Sequence, residues 1–278
     1  MTAAAVAPAV APTIPLLENI LIMPVPATGY SVTLEPIQKR VRAFVSGVAV
    51  VDSARVMMMR ETAHLGVYYF PVEDVRLDLL IPSGEVVASP YKGDASYFHV
   101  EVGGRVVEDA AWRYLNPLPD CPDISGYVAF HWREMDAWYE EDEEVFVHAR
   151  DPKHRIDVLE SSRHVRVVVG GKTVADTRRA VFLFETSLPV RYYIPKLDVR
   201  FDLLRPSPML TACAYKGRTT AYWSAETTGG SVRDVAWSYE APRLEAARIA
   251  NMVAFFNERV DAIYVDGVVV EDPQTQWS

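Results

Sequence analysis

The chain has 278 residues, half of them hydrophobic, with 14 Tyr, 10 Phe and 6 Trp, which is material enough for the cores of two domains. Its net charge is −9, with 22 acids against 11 bases over residues 41–162, and that balance argues against nucleic-acid binding, which needs a basic face. Two cysteines exclude a disulfide framework and a four-cysteine zinc site, and no run of about 18 apolar residues offers a membrane span, so a cytoplasmic protein is expected.

Residues 1–40 read as an Ala/Pro-rich lead-in, beginning MTAAAVAPAVAPTIP, with no basic start and with prolines that break the apolar stretch. From residue 41, VRAFVSGVAVVDS predicts two short strands about a Gly turn, followed by strands at VMMMRET and VYYFP. DVRLDLL at 74–80 alternates Val75, Leu77 and Leu79 with Arg76 and Asp78, which predicts a strand with one buried and one polar face. SYFHVEVGGRVVEDAAW predicts a hairpin turning at Gly103-Gly104, and GYVAFHW is apolar enough for a central strand. The acidic run at 140–144 reads as a solvated loop or edge strand, with a metal-binding patch as the alternative.

From residue 163 to 278 the same order returns. Val41-Arg42, Glu61-Thr62, Tyr68-Tyr69, the DVRLDLL heptad and Tyr91-Lys92-Gly93 recur as Val165-Arg166, Glu185-Thr186, Tyr192-Tyr193, DVRFDLL and Tyr215-Lys216-Gly217, all offset by 124. Past one inserted residue the offset becomes 125, pairing Tyr97 with Tyr222, Trp112 with Trp237, Tyr114 with Tyr239 and Val128-Ala129-Phe130 with Val253-Ala254-Phe255. A constant offset with a single insertion is an internal duplication. The expected fold is therefore mainly β, two tandem antiparallel domains at 41–162 and 163–278. The best case for helix is PRLEAARIANM at 242–252.

The sets VYYFPVEDVR, SPYKGDASY, EDAAWRYLNP and YVAF resemble the domain of unknown function 427 family, also filed as nucleotidyltransferase-like, over about residues 41–278 in both copies. The resemblance implies a β-tent-like domain, two antiparallel sheets pinned along one edge. Related tents include methionine sulfoxide reductases and the drug-binding domain of cereblon, which hold ligands in a crevice between sheets. Their cysteine-held zinc does not carry over, because the cysteines are missing here, and no cofactor is expected. Neither a Gly-rich phosphate loop nor a paired-aspartate strand motif stands behind the nucleotidyltransferase label.

Candidate site residues come from the repeated motifs. Lys92 and Lys216 precede a glycine able to take φ > 0 and bring backbone close to a ligand, so each is an anion anchor, a perturbed amine, or a turn lysine lying on an aromatic face. Glu61 and Glu185 end apolar strands, as general bases or as partners of backbone N–H groups and arginines. Arg76 and Arg200 alternate with Asp78 and Asp202, as a cross-strand ion network or as binders of a ligand carboxylate. Tyr91, Trp112, Tyr114, Tyr215, Trp237 and Tyr239 supply core or crevice wall. Cys213 stands where copy 1 has Ser89, as a nucleophile beside a lysine or as a buried thiol. His99, His131, His148 and His154 show no tight metal-ligand spacing.

Three functions remain open. The preferred reading is a small-molecule ligand in an aromatic-lined crevice of one or both repeats. The alternatives are a hydrolase- or lyase-type enzyme using a Glu/Lys acid–base pair there, and a protein-interaction module. No membrane or nucleic-acid partner is expected, and monomer and homo-oligomer are equally compatible.

Overall fold

Short alternating segments between glycine turns become strands along the whole chain. A computed structural model describes residues 29–227, 230–271, 273 and 275, so most of the Ala/Pro-rich lead-in lies outside the described residues. Repeat 1 contains β1 (Val32–Pro36), β2 (Val41–Val45), β3 (Val48–Ser53), β4 (Met57–Glu61), β5 (Val67–Pro71), β6 (Leu80–Ser89), β7 (Gly93–Val102), β8 (Arg105–Tyr114), β9 (Tyr127–Phe130), β10 (Ala137–Glu140) and β11 (Glu143–Val145). Repeat 2 contains β12 (Ile156–Glu160), β13 (Val165–Val169), β14 (Lys172–Thr177), β15 (Val181–Glu185), β16 (Arg191–Pro195), β17 (Leu204–Ser207), β18 (Ala212–Cys213), β19 (Gly217–Arg218), β20 (Ala221–Thr227), β21 (Gly230–Ser238), β22 (Met252–Phe255), β23 (Ala262–Val265) and β24 (Val268–Val269).

Each repeat builds a seven-stranded and a four-stranded antiparallel sheet. The large sheets run β1-β4-β5-β9-β8-β7-β6 and β12-β15-β16-β22-β21-β20-β17, and the small ones β11-β10-β2-β3 and β14-β13-β23-β24. The duplicated mainly β fold is thus as expected. The large sheet takes in a strand ahead of the Val-Arg motif in each copy, because β1 pairs with β4 and β12 with β15.

The large sheet is apolar on both faces at its centre. One face packs on the small sheet, joining Val41, Ala43 and Val45 to Met58, Phe70 and Val128, and Val165, Val167 and Val169 to Phe182, Ile194 and Val253. The opposite face carries a second cluster, Met59, Tyr69, Tyr114 and Ala129 in repeat 1 and Leu183, Tyr193, Trp237, Tyr239 and Ala254 in repeat 2. Two buried faces explain why VYYFP and YVAF are continuous apolar runs. Each large side chain buried there contributes roughly 1.5–3 kcal/mol.

Three segments depart from the sequence reading. DVRLDLL is a turn, with 3-10 helices at Leu77–Leu79 and Phe201–Leu203, and Leu77 is exposed. The Arg76 guanidinium clasps Asp78 two residues on, while the Arg76 backbone N–H donates to the Val50 carbonyl, so the charges expected to bridge strands close the turn; Arg200 clasps Asp202 and its backbone N–H donates to the Val174 carbonyl in the same way. The helix expected over 242–252 contracts to a 3-10 helix at Leu244–Ile249, which buries Ala246 and Ile249 at the three-residue spacing of that helix. In the acidic run β11 is the expected edge strand, but β10 lies inside the sheet between β11 and β2, and its Glu140 is buried, where it accepts the Tyr68 hydroxyl and Lys39 Nζ, the latter at 2.6 Å.

The repeats meet along residues 146–155. Arg60 of β4 grips both carboxylate oxygens of Asp151 at 2.7 and 2.8 Å, and the Asp151 N–H donates to the Tyr215 hydroxyl at 2.9 Å. Arg243 of repeat 2 donates to Glu143 Oε2 and to the Glu144 carbonyl. The acidic edge of repeat 1 is therefore matched by a cation of repeat 2.

Candidate functional site

The Tyr-Lys-Gly motif ends the turn into β7 in repeat 1 and into β19 in repeat 2. Its glycine takes the φ > 0 that the sequence suggested, +99° at Gly93 and +95° at Gly217. A Cβ on Gly93 would meet the Asn116 carbonyl at 3.0 Å. Only glycine fits, and the turn aims the preceding lysine at the outer face of the large sheet. Gly93→Ala is expected to lower the unfolding free energy by about 1–3 kcal/mol in urea denaturation. An unchanged midpoint would mean that this turn does not constrain Lys92.

There each lysine meets the glutamate that ends β4 in repeat 1 and β15 in repeat 2. Lys92 Nζ donates to Glu61 Oε2, and Lys216 Nζ to Glu185 Oε2. The pairs are largely buried: the side chains of Lys92 and Glu61 are 11% and 13% exposed, those of Lys216 and Glu185 12% and 4%. Burial works against the charge on Glu185, but Lys216 beside it and hydrogen bonds from His154 and Lys216 outweigh this and hold its pKa at about 2. Glu61 is also lowered: burial opposes, and hydrogen bonds from Lys92 and Tyr30 win. Burial likewise opposes the Lys216 ammonium, yet Cys213, Glu185 and Tyr193 around it raise its pKa.

The other carboxylate oxygen takes a ring that the sequence reading did not single out for this place. Tyr30 donates its hydroxyl to Glu61 Oε1 and stacks on Tyr91, the centroids 3.5 Å apart and the planes 9° from parallel. His154 Nε2 lies 3.1 Å from Glu185 Oε1, and its ring stacks on Tyr215 at 4.0 Å and 16°. Glu185 is ionised and only accepts, so His154 carries its proton on Nε2. The threonine of each Glu-Thr motif clamps the next backbone link, Ser31 N–H to Thr62 Oγ1 at 2.8 Å and Arg155 N–H to Thr186 Oγ1 at 2.9 Å. Tyr30 and His154 are 124 apart, the offset of the repeat, but their different identities hid them.

Aromatic side chains back each pair. Trp112 donates to the Tyr69 hydroxyl at 3.3 Å and Trp237 to that of Tyr193 at the same distance, with the rings edge-on in both copies. Lys92 Nζ lies 6.0 Å from the Tyr114 ring centre, and Tyr239 is buried in the matching cluster. Cys213 of β18 pairs across to Gly217, next to Lys216, while copy 1 has Cys121, buried in the same cluster as Tyr69 and Tyr114. A thiol thus borders both sites from positions that are not equivalent. Arg76 and Arg200 take no part, each being engaged with the aspartate of its own exposed turn.

The copies differ in access. Tyr91 is 44% exposed, whereas Tyr215 is 8% exposed beneath His148, Arg150 and Asp151 of the segment joining the repeats. Two surface grooves lie elsewhere, one along Ile37, Lys39, Arg55 and Tyr127, the other along Asn257, Asp261 and Val269. In the first, Lys39 is paired with Glu140, Arg40 with Asp52 and Arg55 with Asp74. Among the described residues no three His, Cys, Asp or Glu side chains converge as metal ligands, and no helix is long and apolar enough to cross a membrane. His99 Nδ1 accepts the Asp109 N–H at 3.0 Å, and His131 lies against Trp112.

A family described as a domain of unknown function (DUF427) matches residues 33–141 and again residues 157–266. No curated protein matches the chain.

Proposed function

The chain belongs to the DUF427 family through both of its repeats, and we propose that each repeat is a small-molecule-binding module floored by its Glu–Lys pair and walled by the surrounding tyrosines and tryptophan. The observation that carries this reading is a buried ion pair of fixed charge, set against aromatic faces in the same way twice. A general acid or base works best with a pKa near the working pH. Glu185 at about 2 and a Lys216 raised above its ordinary value are far from that range, which favours binding over proton transfer. An ammonium with three donors and a carboxylate, held beside a flat tyrosine face, suits a small polar aromatic ligand. The exposure of Tyr91 makes repeat 1 the readier of the two.

The test is a thermal-shift screen of the full chain against a metabolite library, with Lys92→Ala and Lys216→Ala alongside. A ligand at about a hundred times its Kd adds about 2.7 kcal/mol of stability by mass action. The expected outcome is a hit whose shift disappears in Lys92→Ala and persists in Lys216→Ala. A hit indifferent to both substitutions, or none at all, would remove this function.

A further inference from the structure

The two repeats seat chemically different rings in one place. A phenol occupies it in repeat 1 and an imidazole in repeat 2, both nearly parallel to the tyrosine of Tyr-Lys-Gly and both bonded to the glutamate Oε1, while lysine holds Oε2. What the seat requires is therefore common to the two rings: a flat π face at stacking distance and one N–H or O–H donor in its plane. Neither ring belongs to the sheet that forms the seat. Tyr30 and His154 stand two residues ahead of β1 and β12, on the segments leading into each repeat.

Resting on the binding function proposed above, we infer that Tyr30 and His154 are built-in occupants of a ligand seat, and that its ligand is a small planar ring carrying an N–H or O–H donor. The ligand enters by displacing the occupant and takes over both its stack and its bond to the carboxylate. This accounts for an aromatic site that is filled rather than hollow: the chain's own ring takes the room the ligand needs. The seats differ in how firmly the occupant is held. Tyr30 stacks on a tyrosine that still faces solvent, whereas His154 lies on a Tyr215 also covered by His148 and bonded by Asp151. Repeat 1 is the seat that exchanges first, and repeat 2 the one kept shut.

The experiment vacates each seat and offers the missing ring. Tyr30→Ala and His154→Ala are prepared in the full chain, with Tyr30→Phe and His154→Phe as controls that keep a ring in place without its donor. Phenol and imidazole, at about tenfold above the millimolar Kd expected of such fragments, should raise the Tm of either alanine variant by about 3 °C. Neither probe should shift the phenylalanine variants beyond the wild-type response, and adding Glu61→Leu or Glu185→Leu, which removes the acceptor that a glutamine would keep, should abolish the rise in the matching repeat. Saturation-transfer NMR of the probe protons gives a second reading that needs only one of the two alanine variants to fold. Probes that shift the alanine variants no more than wild type, or a rise that survives loss of the carboxylate, would overturn the inference. A library compound bound at Lys92 while both probes fail would overturn it too, yet leave the proposed binding function standing.

Discussion

Lys216→Ala is expected to lower the unfolding free energy by about 3–5 kcal/mol, because it strands a buried carboxylate without its cation. Glu185 is 4% exposed at its side chain, and of its two polar partners only His154 remains after the substitution. The loss should be read by urea unfolding at pH 7. Its origin can be separated from the lost packing of the lysine stem, because Glu185→Gln in the same chain should recover a large part of it. An amide needs no counter-charge and still accepts from His154. Lys92→Ala should cost less, since Glu61 is more exposed and keeps the Tyr30 hydroxyl. Should Lys216→Ala cost under about 1 kcal/mol, the pair would have the worth of a surface salt bridge and the buried, fixed charge argued above would be absent.

The second large effect is in acid. Glu185 has a folded pKa of about 2 against an ordinary 4.5, so its contribution is complete above pH 4.5 and is lost as pH falls toward 2. The full shift corresponds to about 3 kcal/mol. Lys216 acts at the other end: raised in the fold, it stabilises below its ordinary value of 10.5 and loses that contribution as pH climbs past it. A plateau between the two limits is expected, with a steep acid limb. Glu185→Gln should lower the plateau and flatten the limb between pH 4.5 and 2. An acid limb equally steep in Glu185→Gln would assign acid unfolding to other carboxylates, such as Asp52 or Asp74, which Arg40 and Arg55 hold below their ordinary range.

The duplication, the hairpins and the central strands were legible in the sequence because each rests on local signals. Gly turns set the hairpins, period-two alternation sets the half-buried strands, and a constant offset ties the copies together. The DVRLDLL segment misled because alternation cannot tell a strand from a turn whose i and i+2 charges clasp one another. In the site, Glu61 with Lys92 and Glu185 with Lys216 could be named in advance as candidates, since both residues recur in rigid motifs. That they meet was an expectation only of the acid–base alternative, and no local pattern spans the 31 residues of chain that separate the partners. Tyr30 and His154 were missed for a plainer reason. They keep the offset of the repeat but not the residue, and only the stacked geometry shows that phenol and imidazole do the same work. Arg76 and Arg200 were read with Asp78 and Asp202 as a cross-strand ion network or as ligand binders, and their spacing did not show that each pair closes on itself within one turn.

The reading of the Glu–Lys pair as a fixed recognition element, and not a proton-transfer pair, is tested most directly by a 13C NMR titration of the glutamate carboxyls. Glu61→Gln and Glu185→Gln assign the two signals. Both carboxylates should stay ionised as pH falls through 4.5, with Glu185 still charged near pH 3. A midpoint near neutral pH for either would contradict the account and bring the acid–base enzyme to the front.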